Sequence, residues 1–160
     1  MTLQRTIDSV EALYQKLERT FDRRPDYGDN QVDWVFDFAV TAWHLVDWVA
    51  NKVGVPLKTT QDGFKTKCPE LAVCEQICNG AKHLVLDNPN LQPFNVAVDV
   101  RCTDDLQGIL RDVSPDKSND VVLTPVVLIT NKNGKPCDAI GVFHKVLRFW
   151  ETELKLLSLM

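Results

Sequence analysis

The sequence predicts an α+β domain, mainly α: a four-helix bundle with a small antiparallel β-sheet inserted before the last helix. Three observations predict it. Apolar residues recur at helical spacing in four segments, and the spacing switches to alternation within residues 94–141. No repeat, low-complexity tract or linker divides the 160 residues, so 1–160 reads as a single domain.

The first helix is expected over 6–24, where Ile7, Val10, Leu13, Tyr14 and Leu17 keep one face apolar and Thr6, Asp8 and Ser9 offer acceptors near its start. Pro25–Asn30 is a turn, and Asp29 or Asn30 can cap a second helix over 31–52, ended by Gly54 and Pro56. LKTTQDGFKTK then reads as a polar loop. It leads to Cys68-Pro69-Glu70, where a first-turn proline suits the start of a third helix over 69–86. That helix has Val73, Ile77, Ala81 and Leu84 on its apolar side, and Asp87-Asn88-Pro89-Asn90 stops it.

Alternation begins at Phe94: Phe94, Val96, Val98, Val100 and Cys102 share one face of a strand. Residues 104–120 are a polar loop. VVLTPVVLIT is a second strand, which Pro125 assigns to an edge or a bulge. Asn131-Lys132-Asn133-Gly134 turns it into a short third strand near Cys137–Ile140. Helical spacing returns over 142–157 through Val142, Val146, Phe149, Trp150, Leu154 and Leu157.

With 44% hydrophobic residues, 25% charged residues and a net charge of −4, the chain reads as a soluble globular protein without a broad duplex-binding surface. No apolar run approaches the roughly 20 residues that span a bilayer, and the start lacks a signal-peptide core, so the expectation is a cytoplasmic protein with no membrane partner. The five cysteines, Cys68, Cys74, Cys78, Cys102 and Cys137, are then reduced, buried thiols. The basic clusters Arg19, Arg23, Arg24 and Lys52, Lys58, Lys65, Lys67 read as solvated surface.

Chemistry concentrates on the second helix. At about 100° per residue, Asp33, Asp37, His44 and Asp47 form one narrow stripe on a helix otherwise apolar nearly all round. Such groups need counter-charges, a metal, a partner or a water-filled cleft. The third helix carries Glu75, Asn79, Lys82 and His83 opposite its apolar side, and antiparallel packing of the two helices sets the stripes face to face, with Lys82 opposite Asp37 or Asp47.

This pattern admits acid–base chemistry: histidine as a residue type suits proton transfer, which makes His44 and His83 the candidates, Asp47 orients a ring, and Asp37, Asn79 and Lys82 bind the ligand, Asn79 and Lys82 holding an anion. The same residues could instead form a buried network that fixes helix register. Asp37, His44, Asp47 and His83, with His144 outlying, offer N and O metal ligands without any tight ligand spacing, so no metal is assigned and no cofactor is named. His144 itself reads as surface. Trp34, Trp43 and Trp150 read as core, and Trp48 as a pocket wall.

The H-x-x-D-W of His44, Asp47 and Trp48 and the N-x-x-K-H of Asn79, Lys82 and His83 resemble a group of uncharacterised bacterial and phage proteins across residues 31–86. More distantly, the helical layout with a late His is similar to the HEPN superfamily, often dimeric, metal-independent ribonucleases of defence systems. That family's signature places an Arg before the His, where this chain has Gln76, Ile77 and Cys78, so only His83 and Asn79 carry over. The resemblance implies a helical fold and a homodimer more than ribonuclease activity. The expected function is binding or hydrolysis of a phosphate-containing ligand, RNA or a nucleotide, and the alternative is a non-catalytic dimeric interaction protein.

Overall fold

A computed structural model describes residues 7–25, 30–82, 95–99, 126–130 and 136–160. These form helices α1 (Val10–Asp22), α2 (Asn30–Val53), α3 (Leu57–Lys67), α4 (Leu71–Lys82) and α5 (Ala139–Leu156), with strands β1 (Asn95–Asp99), β2 (Val126–Thr130) and β3 (Pro136–Asp138) between α4 and α5.

Helix α2 is the hub: α1, α3, α4, α5 and β1 all pack on it. Its apolar circumference accounts for this, because Val35, Phe38, Leu45, Val46 and Val49 are fully buried. Indole Nε1 of Trp34 donates to the Thr20 carbonyl at 2.8 Å and pins α1 to α2. Phe38 stacks on Phe143 of α5 with centroids 4.2 Å apart, and Phe64 of α3 meets Trp150 of α5 edge-on at 5.3 Å.

Local chemistry sets the helix ends. The Ser9 side chain accepts from the Ala12 amide at 3.1 Å and starts α1. Gly54, at φ 71°, ends α2, and the Val55 amide returns to the Ala50 carbonyl at 3.1 Å, a closing turn that favours glycine. α5 closes in the same way around Ser158 at φ 56°, with the Leu159 amide reaching the Leu154 carbonyl at 2.9 Å. Asp138 ends β3 and caps α5 at once, accepting from the amides of Ile140 and Gly141, both at 3.1 Å. Strand therefore passes into helix without a loop, and Ile140 is helical rather than the end of a strand.

The sheet is antiparallel with order β1-β2-β3. Val96 pairs with Ile129 and Val98 with Val127, while Cys137 pairs with Ile129 across the other side. β2 is thus the central strand and not an edge. Pro125 lies outside the described residues, and among those described the proline on an edge strand is Pro136 of β3.

One larger correction concerns 57–67, which is helix α3 and not a polar loop. Thr60, Phe64 and the following Cys68, four residues apart, are its buried side. Lys58 and Asp62 pair at 3.0 Å on the solvent face. Among the described residues the bundle therefore has five helices, the four predicted ones and the additional short α3. No helix there is long and apolar enough to cross a membrane. The predicted helix beyond Lys82, the loop 104–120, Cys102 and the Asn131–Gly134 turn lie outside the described residues.

Candidate functional site

On the wheel of α2, the side bearing Trp34 and Trp48 meets α1, and the side bearing Trp43 meets α3, whose Lys65 ammonium sits 5.7 Å from the Trp43 ring centre. The stripe of Asp33, Asp37, His44 and Asp47 falls between these two sides. Asp33 and Asp37 are exposed, and His44 and Asp47 are half-buried. The stripe therefore lies towards the gap between α1 and α3. α4 packs on α2 through its own apolar side, where Leu71, Cys74, Ile77 and Cys78 are buried.

The expected face-to-face pairing is altered by α3. Glu75 of α4 accepts from Lys65 at 2.8 Å, so that part of the α4 polar side is neutralised by α3, a segment expected to be a loop. Asn79 is half-buried on α4, Lys82 is that helix's last residue, and His83 lies outside the described residues. No hydrogen bond or ion pair among the described residues joins Asp37, His44, Asp47 and Asn79 to one another. Along the axis, His44 stands about 10 Å from Asp37 and Asp47 about 15 Å from it, at 1.5 Å per residue. His44 and Asp47 are adjacent, one turn apart. No group of His, Cys, Asp and Glu among the described residues is arranged to hold a metal ion.

Asp47 bears on the reading of the stripe as a buried network. Its Oδ1 is buried and has no hydrogen-bond partner among the described residues. A register-fixing network would satisfy that oxygen, and an unsatisfied buried acceptor costs about 1–3 kcal/mol. An Asp47→Leu variant is accordingly expected to keep the parent stability or gain about 1 kcal/mol in urea unfolding. A loss of about 3 kcal/mol would show instead that Asp47 belongs to a network.

The other ionic groups bind elements together. Lys65–Glu75 joins α3 to α4, Lys67 donates to Glu153 of α5 at 2.5 Å, and Lys145 of α5 donates to Glu70 at 2.9 Å. The Lys145 hydrogen bond holds the Glu70 carboxyl below its usual range. Burial pushes the Cys68 and Cys74 thiols up, which keeps them neutral and poorly nucleophilic. Among the described residues, Cys68 and Cys74 are buried free thiols, whereas the Cys137 thiol is free but only half-buried, short of the full burial expected for it. His144 is exposed, 6.2 Å from the Phe21 ring, and stands apart from the stripe.

Asp33 and Asp37 do open onto a cleft, but one shared with α1. It has a volume of about 470 Å³ and sets Lys16, Arg19 and Arg23 of α1 against Asp33, Trp34 and Asp37 of α2. Lys16, Arg19 and Arg23 take part in no ion pair among the described residues. By sequence alone Arg19 and Arg23 read as solvated surface, and Lys16 belongs to no basic cluster. The signal available was their spacing: positions 16, 19 and 23 fall on one face of a helix, next to Thr20, whose carbonyl receives Trp34. Trp48, the one tryptophan expected at a pocket, lines a second open cleft of about 590 Å³ between the start of α1 and the end of α2. Compared with known proteins, the chain matches no family, no curated protein and no solved structure.

Proposed function

We propose that this protein binds a phosphate-containing ligand of the nucleotide or RNA class in the groove between α1 and α2. The observation that carries the reading is the set of three unpaired cations, Lys16, Arg19 and Arg23, on one wall of a cleft whose other wall is Asp33 and Asp37. Two guanidinium groups a turn apart suit the oxygens of a phosphate, each able to offer parallel N–H donors. The carboxylates opposite accept hydrogen bonds, which suits ribose hydroxyls or the amino groups of a base and makes the groove a poorer host for a bare polyanion. Asp37 thus keeps its ligand-binding role, with α1 supplying the anion-holding cations in place of Lys82. His44 and Asp47 are not among the lining residues, so the groove supports binding and not acid–base chemistry.

Calorimetric titration with a nucleoside monophosphate, inorganic phosphate and a short single-stranded RNA tests this. Arg19→Glu/Arg23→Glu is expected to lower affinity at least tenfold, since a hydrogen bond to a charged group contributes about 1.5–3 kcal/mol, with little change in Tm. Asp33→Ala/Asp37→Ala should erase the preference for nucleotide over inorganic phosphate. Absence of binding for all three ligands at low salt, or binding indifferent to the Arg19/Arg23 reversal, would overturn the reading.

A further inference from the structure

The large apolar side chains that remain exposed among the described residues are Ile7, Val53, Val55, Leu57, Leu156 and Met160. All belong to one end of the bundle. The second cleft shows this, because Asp8–Glu11 at the start of α1, Asn51 and Lys52 at the end of α2, and Ser158 and Leu159 after α5 line it together. Val53, Val55 and Leu57 continue from that point through the Gly54 turn into α3. Leu156, the last residue of α5, is 73% exposed. Scattered apolar side chains on a surface are ordinary, whereas their collection at one end marks a contact surface.

We infer that this end of the bundle is a self-association surface, on which a second copy of the chain packs about a two-fold axis. The charges at its rim select this occupant. Asp8 and Glu11 stand on one side of the cleft and Lys52 on the other, and Lys52 forms no ion pair among the described residues. A two-fold axis sets each side of one copy against the opposite side of the other, so Lys52 of one copy faces Asp8 and Glu11 of the second, twice over. A uniformly acidic or uniformly basic partner would meet like charge on half of the rim. The inference is independent of the α1–α2 groove, and either can fail without the other.

The test is sedimentation velocity of the full chain from about 1 µM to about 100 µM, the range in which small interfaces dissociate. The mass is expected to rise from 18.1 kDa to twice that value with concentration. Leu57→Asp/Leu156→Asp should leave only the monomer, with an unchanged circular dichroism spectrum because both side chains are exposed. Lys52→Glu and Glu11→Lys should each weaken the dimer about tenfold, and the double swap Lys52→Glu/Glu11→Lys should recover it. A monomer at every concentration, or a dimer indifferent to the two Asp substitutions, overturns the inference. A double swap that fails to recover what each single reversal loses overturns the two-fold arrangement.

Discussion

Phe143→Ala is expected to cost about 3–5 kcal/mol, the usual loss for a fully buried phenylalanine whose site cannot collapse. Phe143 has no exposed surface, stacks on Phe38 at 4.2 Å and lies 5.2 Å from Trp34. Its two aromatic neighbours are themselves held, Trp34 by the Thr20 carbonyl and Phe38 by the centre of α2, so neither can swing into the space vacated. A domain of this size holds about 5–15 kcal/mol in all, so one truncation removes a large share. Urea unfolding followed by tryptophan fluorescence measures it, and a loss below about 1 kcal/mol would mean that α5 does not pack on α2 in this way.

Lys67→Met is expected to cost about 2 kcal/mol, between the values for exposed and buried ion pairs, because Lys67 is half exposed while Glu153 is 6% exposed. The cost arises from the carboxylate left behind more than from the attraction lost. Removing both members should therefore be milder than removing the lysine: Lys67→Met/Glu153→Met is expected to return to within about 1 kcal/mol of the parent. Equal losses from the single and double variants would show that Lys67 acts through its packing on Phe64, 5.7 Å from the ammonium, and not through its charge.

Most of the helical architecture was legible in the chain because its signals are long and redundant. α2 carries an apolar circumference over more than six turns, α1 and α5 repeat their buried positions over several, and Ser9 caps the first as its position suggests. α3 was hidden by its composition. Three threonines and Gly63 lower its intrinsic preference, and its buried residues are only Thr60 and Phe64. The i, i+4 pair of Lys58 and Asp62 and the proline before Leu57 were the available cues. Without α3 the polar side of α4 had nothing but α2 to face, whereas Lys65 claims Glu75. The stripe on α2 was readable as a stripe, since periodicity alone fixes which residues share a face. Which neighbour it looks toward depends on how five elements crowd one helix, and that is a tertiary fact.

The pairing of β1 with β2 joins Val98 to Val127 across the stretch of chain between Asp99 and Val126. Closing such a stretch costs entropy that rises only with the logarithm of its length, about 0.6 kcal/mol for each doubling. Register is far less forgiving: a slip of one residue in β2 would carry Val127 and Ile129 out of the core and turn Leu128 inward. The length of chain between the paired strands therefore weighs little on the closure entropy of the pairing, whereas the parity of each strand decides which side chains it buries.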